Sequence, residues 1–148
     1  MKQTRSFYLR LSSFISTLLA CFVAALASPI WIPYALSPTQ EIIRKYSMFD
    51  LRVDAIATRP FTALTAIFLM LILLLQLLSF WQKNKHGLLI STTILYGLSI
   101  ATLLVPAIVW SIPRWNGWLI VLCLLLAFGF VCHLLLSRNV SLKETAKS

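Results

Sequence analysis

Residues 61–81 read FTALTAIFLMLILLLQLLSFW and contain no Asp, Glu, Lys or Arg. A helix that crosses the hydrocarbon core of a bilayer needs about 20 predominantly apolar residues, and this run supplies them. Three further uncharged stretches meet the same requirement, at residues 11–32, 87–110 and 117–136. The sequence therefore predicts an all-α fold, a polytopic membrane protein built as a four-transmembrane-helix bundle.

The composition agrees with a protein whose solvent is lipid. Of the 148 residues, 59% are hydrophobic and 11% are charged, and the mean hydropathy is +0.87. A soluble domain of this size has about 25% charged residues. Four spans leave no room for a separate soluble unit, so residues 1–148 are predicted to form a single membrane domain.

The net charge of +9 raises the question of nucleic acid as a partner. A nucleic-acid-binding domain gathers its basic residues on one folded face. Here they lie in short segments between apolar runs, which is the pattern that sets membrane topology. The sequence predicts the lipid bilayer as partner, and no nucleic acid.

The distribution of Lys and Arg predicts the orientation, because the cytoplasmic side carries the excess. One side has eight basic residues, which are Lys2, Arg5, Arg10, Lys83, Lys85, Arg138, Lys143 and Lys147. The other side has five, which are Arg44, Lys45, Arg52, Arg59 and Arg114, mixed with three of the four acidic residues. This pattern predicts a multi-pass protein of the cell inner membrane with both termini in the cytoplasm, an outer loop at 33–60 and a cytoplasmic tail at 137–148.

The first span has an alternative interpretation as a cleaved signal. Basic residues followed by an apolar run resemble a signal peptide, and Ala25-Leu26-Ala27 fits a cleavage site. The segment ending at Cys21 also matches a lipoprotein cleavage box loosely. The apolar run continues through Ile32, longer than a typical signal, which favours an uncleaved helix.

The outer loop is predicted to form an amphipathic segment at the membrane interface. Ser37-Pro38-Thr39-Gln40 is typical of a helix start, with Ser at the cap and Pro in the first turn. Apolar residues then recur at helical spacing and form one face, consisting of Ile42, Tyr46, Phe49, Val53 and Ile56. The alternative is a strand over 49–54, where polar and apolar residues alternate, although no pairing strand is evident.

Small residues predict where helices pack, since close backbone approach drives helix association in lipid. They recur at spacing four, as Ser12, Ser16, Ala20, Ala24 and Ser28 in the first span and as Thr93, Gly97 and Ala101 in the third. Contacts inside one bundle and contacts with another subunit both fit these stripes. Pro106 predicts a kink in the third span.

Catalytic chemistry finds little support in the sequence. A proton-coupled exporter needs a membrane carboxylate, and none of the spans has one. The three cysteines lie in apolar stretches without the spacing of a disulfide or zinc site. His86 and His133 are the candidate ligands for a haem or metal, while Gln76 and Tyr96 are predicted to form interhelical hydrogen bonds. No catalytic residue, metal or cofactor is predicted.

These features favour a non-catalytic accessory, assembly or immunity-type subunit that acts through helix–helix and outer-loop contacts, with a membrane-protein partner or as a homo-oligomer. One alternative is a small oligomeric transporter or pore for a neutral or apolar solute, and another is a haem- or metal-using membrane enzyme. The span layout is similar to that of tetraspan proteins such as claudins in topology alone. The cysteine pair and tryptophan motif of the claudin loop are absent from this sequence.

Overall fold

The computed structural model describes residues 2–50, 59–81, 86–109 and 114–145 of the chain. Within these residues there are four helices and one two-stranded antiparallel sheet. The elements in chain order are α1 (Lys2–Leu26), β1 (Ile30–Ser37), β2 (Gln40–Tyr46), α2 (Arg59–Trp81), α3 (His86–Val109) and α4 (Gly117–Thr145). The fold is thus mostly helical, and the all-α prediction is corrected by the small sheet.

All four helices are long and apolar enough to cross a membrane, over Ser6–Leu26, Pro60–Trp81, His86–Val109 and Gly117–Arg138. Between 28% and 39% of the residues in their most apolar windows are buried inside the protein. Large apolar side chains such as Phe22, Ile108 and Leu124 remain more than half exposed. An apolar exterior of this extent requires an apolar surrounding or a covering partner.

The first helix ends earlier than the predicted span 11–32. Ser28 has a φ of 47°, in the left-handed region that ends many helices. Pro29 follows it, and a proline disfavours helical geometry in the residue before it. The apolar run therefore leaves the helix here, and its last residues, Ile30 to Ile32, begin strand β1.

The predicted interfacial helix is wrong for residues 40–46, which form β2. Its pairing strand is β1, of which Ile30 to Ile32 had been assigned to the first span and the remaining residues to the outer loop. The predicted helix start is instead the hairpin turn, where the Thr39 N–H lies 3.4 Å from the Ser37 hydroxyl oxygen. Val53 and Ile56, and most of the alternative strand 49–54, lie outside the described residues.

The helices pack as a ring in which each contacts its neighbours in the chain and α1 closes on α4. The most extensive contacts join α1 to α4 and α2 to α3. The core contains apolar side chains from all four helices together with Ile30, Ile32, Tyr46 and Met48 from the hairpin region. The base of the hairpin is therefore part of the same core as the bundle.

Two residues of the segment before α4, Arg114 and Asn116, hold the hairpin and the residue that precedes it. The Arg114 N–H donates to the Trp31 carbonyl at 2.8 Å, and the Arg114 guanidinium pairs with Glu41 at 3.1 Å. The Asn116 amide donates to the Pro29 carbonyl at 2.7 Å. The hairpin and the α3–α4 connection therefore lie at the same end of the bundle, opposite the end where α1 begins and α4 finishes.

Asn116 also caps α4, because its Oδ1 accepts the Leu119 N–H at 3.0 Å. We expect Asn116→Ala to lower the free energy of unfolding by about 1–2 kcal/mol, the usual cost of a lost cap, with a further loss because the donor to Pro29 disappears. Asn116→Ser keeps a capping oxygen and lacks the amide group that reaches Pro29, so its loss should be smaller. Thermal unfolding in detergent measures both, and an Ala variant as stable as wild type would contradict this role.

Candidate functional site

The two histidines occupy different environments. His86 is the first residue of α3 and is half-buried. His133 lies in α4, is 3% exposed, and contacts Gln76 and Tyr96. No group of three or more residues suited to hold a metal ion occurs in the described part of the chain. The polar neighbour of His133 is Gln76, and the Tyr96 ring lies beside it.

His133 belongs to a cluster that we call the buried polar node. It consists of Ser13 and Thr17 from α1, Gln76 from α2, Tyr96 from α3 and His133 from α4, and each is at most 3% exposed. Every helix of the ring contributes at least one member. The node therefore ties the four helices together in the half of the bundle that is farther from the hairpin.

The direction of each hydrogen bond in the node follows from the number of protons that each group can donate. Thr17 donates its only hydroxyl proton to the Ser13 carbonyl at 2.9 Å, so it accepts the proton of the Tyr96 hydroxyl with which it is paired. The Tyr96 oxygen then accepts from the Gln76 amide nitrogen at 3.0 Å. This amide also donates to the Ser13 hydroxyl at 2.9 Å. The expected interhelical role of Gln76 and Tyr96 is confirmed by these bonds.

Two atoms of the node have no partner among the described residues, the Gln76 Oε1 and the His133 Nδ1. The Gln76 Nε2 lies 3.2 Å from the His133 Nε2. Both hydrogens of this amide nitrogen are given to the Ser13 and Tyr96 oxygens, so its approach to His133 is a close polar contact rather than a third full hydrogen bond. The node thus contains two buried polar atoms without a partner among the described residues, each of which costs about 1–3 kcal/mol if nothing satisfies it.

Gly129 makes room for the Tyr96 ring. A Cβ atom at this position would lie 2.6 Å from the Tyr96 hydroxyl oxygen and 2.8 Å from two ring carbons. Separations this short do not occur in real structures, so a side chain here must displace the ring. Gly129 therefore lets α3 bring Tyr96 against α4 and into the node.

Further hydroxyls join neighbouring helices outside the node. The Ser16 hydroxyl donates to the Leu125 carbonyl across the α1–α4 contact at 2.7 Å. Thr65 and Thr102 join α2 to α3 with a hydroxyl pair at 2.8 Å. Thr102 also bonds the Leu98 carbonyl of its own helix. α3 continues past Pro106, which is buried, and the kink at this residue stays a prediction.

The predicted packing stripes are only partly buried. In the first, Ser16, Ala20 and Ala24 are buried, Ser12 and Ser28 are half-buried, and Ser28 lies beyond the end of α1. In the third helix Thr93 and Gly97 are half-buried and Ala101 is exposed. The buried face of α3 instead runs through Leu89, Thr92, Tyr96, Ser99, Leu103, Pro106 and Ala107. Contact of the stripes with a second subunit remains a prediction.

Sequence reasoning missed Ser13 and Thr17. A strict spacing of four residues drifts by about 40° per step around a helix of 3.6 residues per turn, so such a stripe turns away from the core. The buried positions Ser13, Thr17, Ala20 and Ala24 alternate spacings of four and three, which is the period of a packed helix face. That alternation was the signal available in the sequence.

The apolar residues predicted for the outer loop do not share one buried face. Tyr46 is 8% exposed, whereas Ile42 is 46% and Phe49 is 40% exposed. A groove of about 470 Å³ opens beside Met48 and Phe49 along the outward face of α2. Its lining is almost wholly apolar and lacks the converging polar groups that typically orient a small molecule.

The orientation of the strand backbones follows from one bond. Because the Trp31 carbonyl accepts from Arg114, the backbone groups of Trp31 point away from β2. In an antiparallel ladder the two backbone groups of a residue point the same way, and the direction alternates along the strand. Pro33, which has no N–H to give to the ladder, also falls on the outward side.

The far side of β2 is open. Lys45 pairs with Trp31 and Ile43 with Pro33, so their backbone groups, and by alternation those of Glu41, point away from β1. No backbone hydrogen bond joins these three residues to any other described segment. We call their outward backbone groups the hairpin edge, and residues 40–45 are all exposed.

Comparison with known proteins supplies no relative, since no protein-family model, curated protein or solved structure matches the chain.

The packing of Gly129 against Tyr96 generates a test with a matched control. Gly129→Ala should lower the free energy of unfolding by about 1–3 kcal/mol, as expected for overpacking. Gly97→Ala adds the same methyl group where nothing lies within 4 Å, so it should be neutral or stabilising by up to about 1 kcal/mol through helix propensity. Thermal unfolding of both variants in the same detergent measures the difference. Equal effects would contradict the close packing of Gly129 against the Tyr96 ring.

Proposed function

We propose that the four helices cross the cell inner membrane, with both termini in the cytoplasm and the hairpin on the outer side. The proposal is supported by the exposed apolar surface of every helix and by the excess of Lys and Arg on the side of the termini. The hairpin carries Glu41, Arg44 and Lys45 at exposed positions, which suits water or lipid headgroups rather than hydrocarbon.

Within that membrane the chain acts as a non-catalytic accessory or assembly subunit, which recruits a protein partner through the hairpin. The observation that carries this role is the hairpin edge. An open strand edge adds a further strand readily, because backbone bonds provide affinity for any extended segment. The exposed Ile42 and Ile43 of β2 add apolar contact area.

The buried polar node fits a structural task in this role. Its hydroxyl groups are occupied by bonds to one another, and it contains no carboxylate. Bonds of this kind between helices fix their register in lipid, where no water competes for the polar groups. A rigid bundle then presents the hairpin in one orientation.

A second candidate function is passage or binding of a small neutral solute. It is favoured by the unpaired Gln76 Oε1 and His133 Nδ1, since a guest with a hydroxyl or amide group could bond to them. Solute flux into liposomes that contain the purified protein discriminates, because an accessory subunit alone produces none. Gln76→Leu should abolish any flux that uses the node.

Topology is tested by labelling single cysteines with an impermeant maleimide, after Cys21, Cys123 and Cys132 are replaced by Ala. Thr39→Cys in the hairpin turn should react in intact cells stripped of their outer layers. Lys147→Cys should react only after the membrane is opened. Reaction of both positions, or of neither, from the outside would contradict the proposed orientation.

The accessory role is tested by crosslinking in native membranes and in mild detergent. Ile43→Pro removes an N–H of the hairpin edge and leaves the bonds between β1 and β2 available, so the crosslinked complex should be lost. Ile43→Ala removes the side chain and keeps the N–H, so most of the complex should survive. A wild-type protein that is monomeric in both settings would contradict the role.

A further inference from the structure

The hairpin edge is complementary to itself. We propose that the edges of two copies pair antiparallel about Ile43, which joins two hairpins into a four-stranded sheet across a symmetric dimer. This inference rests on the proposed accessory function and names a second copy of the chain as the partner.

The first support is the backbone arrangement. In a symmetric antiparallel pair centred on Ile43, this residue lies opposite Ile43 of the partner subunit. Glu41 then lies opposite Lys45 of the partner subunit, and Lys45 opposite Glu41 of the partner subunit. All three have outward backbone groups, so every one of these pairs forms the close double hydrogen bonds of a β-ladder.

The second support is the charge pattern. Glu41 and Lys45 are placed symmetrically about Ile43, and opposite charges directly across a ladder are favourable. If the symmetric pair were centred on Glu41, Arg44 or Lys45 instead, the central residue would lie opposite the same residue of the other copy. Two like charges would then face each other, which is unfavourable. A centre at Ile42 avoids like charges but loses both Glu–Lys pairs. Ile43 is therefore the centre that this strand favours.

Charges on an edge strand often prevent association rather than promote it. An edge protected in that way repels its own copy, as a run of lysines does. Here the two charged positions, Glu41 of one copy and Lys45 of the other, attract each other in the symmetric register. The edge also stays accessible, since residues 40–45 are exposed and Glu41 and Lys45 make only surface contacts with Arg114 and the Trp31 ring.

The test uses two charge reversals, Glu41→Lys and Lys45→Glu, in purified protein in mild detergent. Each variant alone places like charges opposite one another in both symmetric pairs, so its dimer dissociation constant should rise on the order of tenfold. When the two variants are mixed under different tags, every pair is again Glu opposite Lys. The mixed dimer should regain wild-type affinity, and it should outnumber both self-dimers.

The mixture also controls for effects within one copy. Glu41→Lys breaks the pair with Arg114, and that loss persists in the mixture, so recovery there reports contact between copies. Thr39→Lys adds a positive charge in the turn at a position that opposes neither Glu41 nor Lys45 and should leave dimerisation unchanged. Circular dichroism and thermal unfolding establish that each variant is folded.

A second measurement does not depend on the charged residues. In the background that lacks Cys21, Cys123 and Cys132, Ile43→Cys should form a disulfide between copies in membranes, since paired Cα atoms at about 5.5 Å are within disulfide range. Ile42→Cys should form much less, because it lies away from the axis.

The outcomes separate this inference from the proposed function. A wild-type dimer that is indifferent to both reversals, or an Ile42→Cys crosslink stronger than that of Ile43→Cys, overturns the inference and leaves the accessory role standing. A wild-type chain that is monomeric by itself but forms a complex with a different protein through β2 also overturns the inference and leaves the accessory role standing. A chain without any complex in membranes contradicts both.

Discussion

Hydrocarbon offers no hydrogen bonds, so a side-chain amide placed among apolar helices must find its partners within the protein. Gln76 is the one side-chain amide in the four apolar stretches. Its nitrogen donates to Ser13 of α1 and Tyr96 of α3 and lies 3.2 Å from His133 of α4. In the proposed membrane setting, rotating or sliding any of these helices would break a polar contact that hydrocarbon does not replace. Apolar packing alone tolerates several helix registers in lipid, whereas this amide selects one.

The position of the hairpin depends on that arrangement. Asn116 and Arg114 hold β1 against the start of α4, and α4 is in turn tied to α1 and α2 through His133 and the helix contacts. An isolated two-stranded hairpin is marginally stable in water. Here the base of the hairpin is buried with the bundle, so β2 is presented as a formed strand whose far edge is open among the described residues.

Much of the helical architecture could be predicted from the sequence, because a long uncharged run has a single structural solution in lipid. The number of helices and the second span, 61–81 against Arg59–Trp81 in the structure, follow from composition and length. The hairpin could not be predicted in the same way. The hydropathy of Ile30 to Ile32 does not distinguish them from the last turn of a membrane helix. The only local sign that α1 ends before them is the pair Ser28-Pro29.

The buried polar node illustrates a second limit. Gln76 and Tyr96 stand out as polar residues in apolar runs, so each could be expected to bond across helices. Ser13 and Thr17 do not stand out, because hydroxyl residues are common along α1 and their relevance depends on which face meets Tyr96. The alternation of four and three marks the buried face of α1, but it does not show that this face meets Tyr96, which depends on the space that Gly129 leaves on α4.

The claim on which the account depends is that hydrocarbon surrounds the outward faces of the helices. Phe128, in the middle of α4, is 54% exposed, and a nitroxide attached through Phe128→Cys in reconstituted vesicles reports its medium directly. The account predicts frequent collisions with oxygen and few with a water-soluble nickel chelate, and the reverse for a label at Thr39→Cys. Chelate collisions at position 128 as frequent as those at position 39 would contradict it.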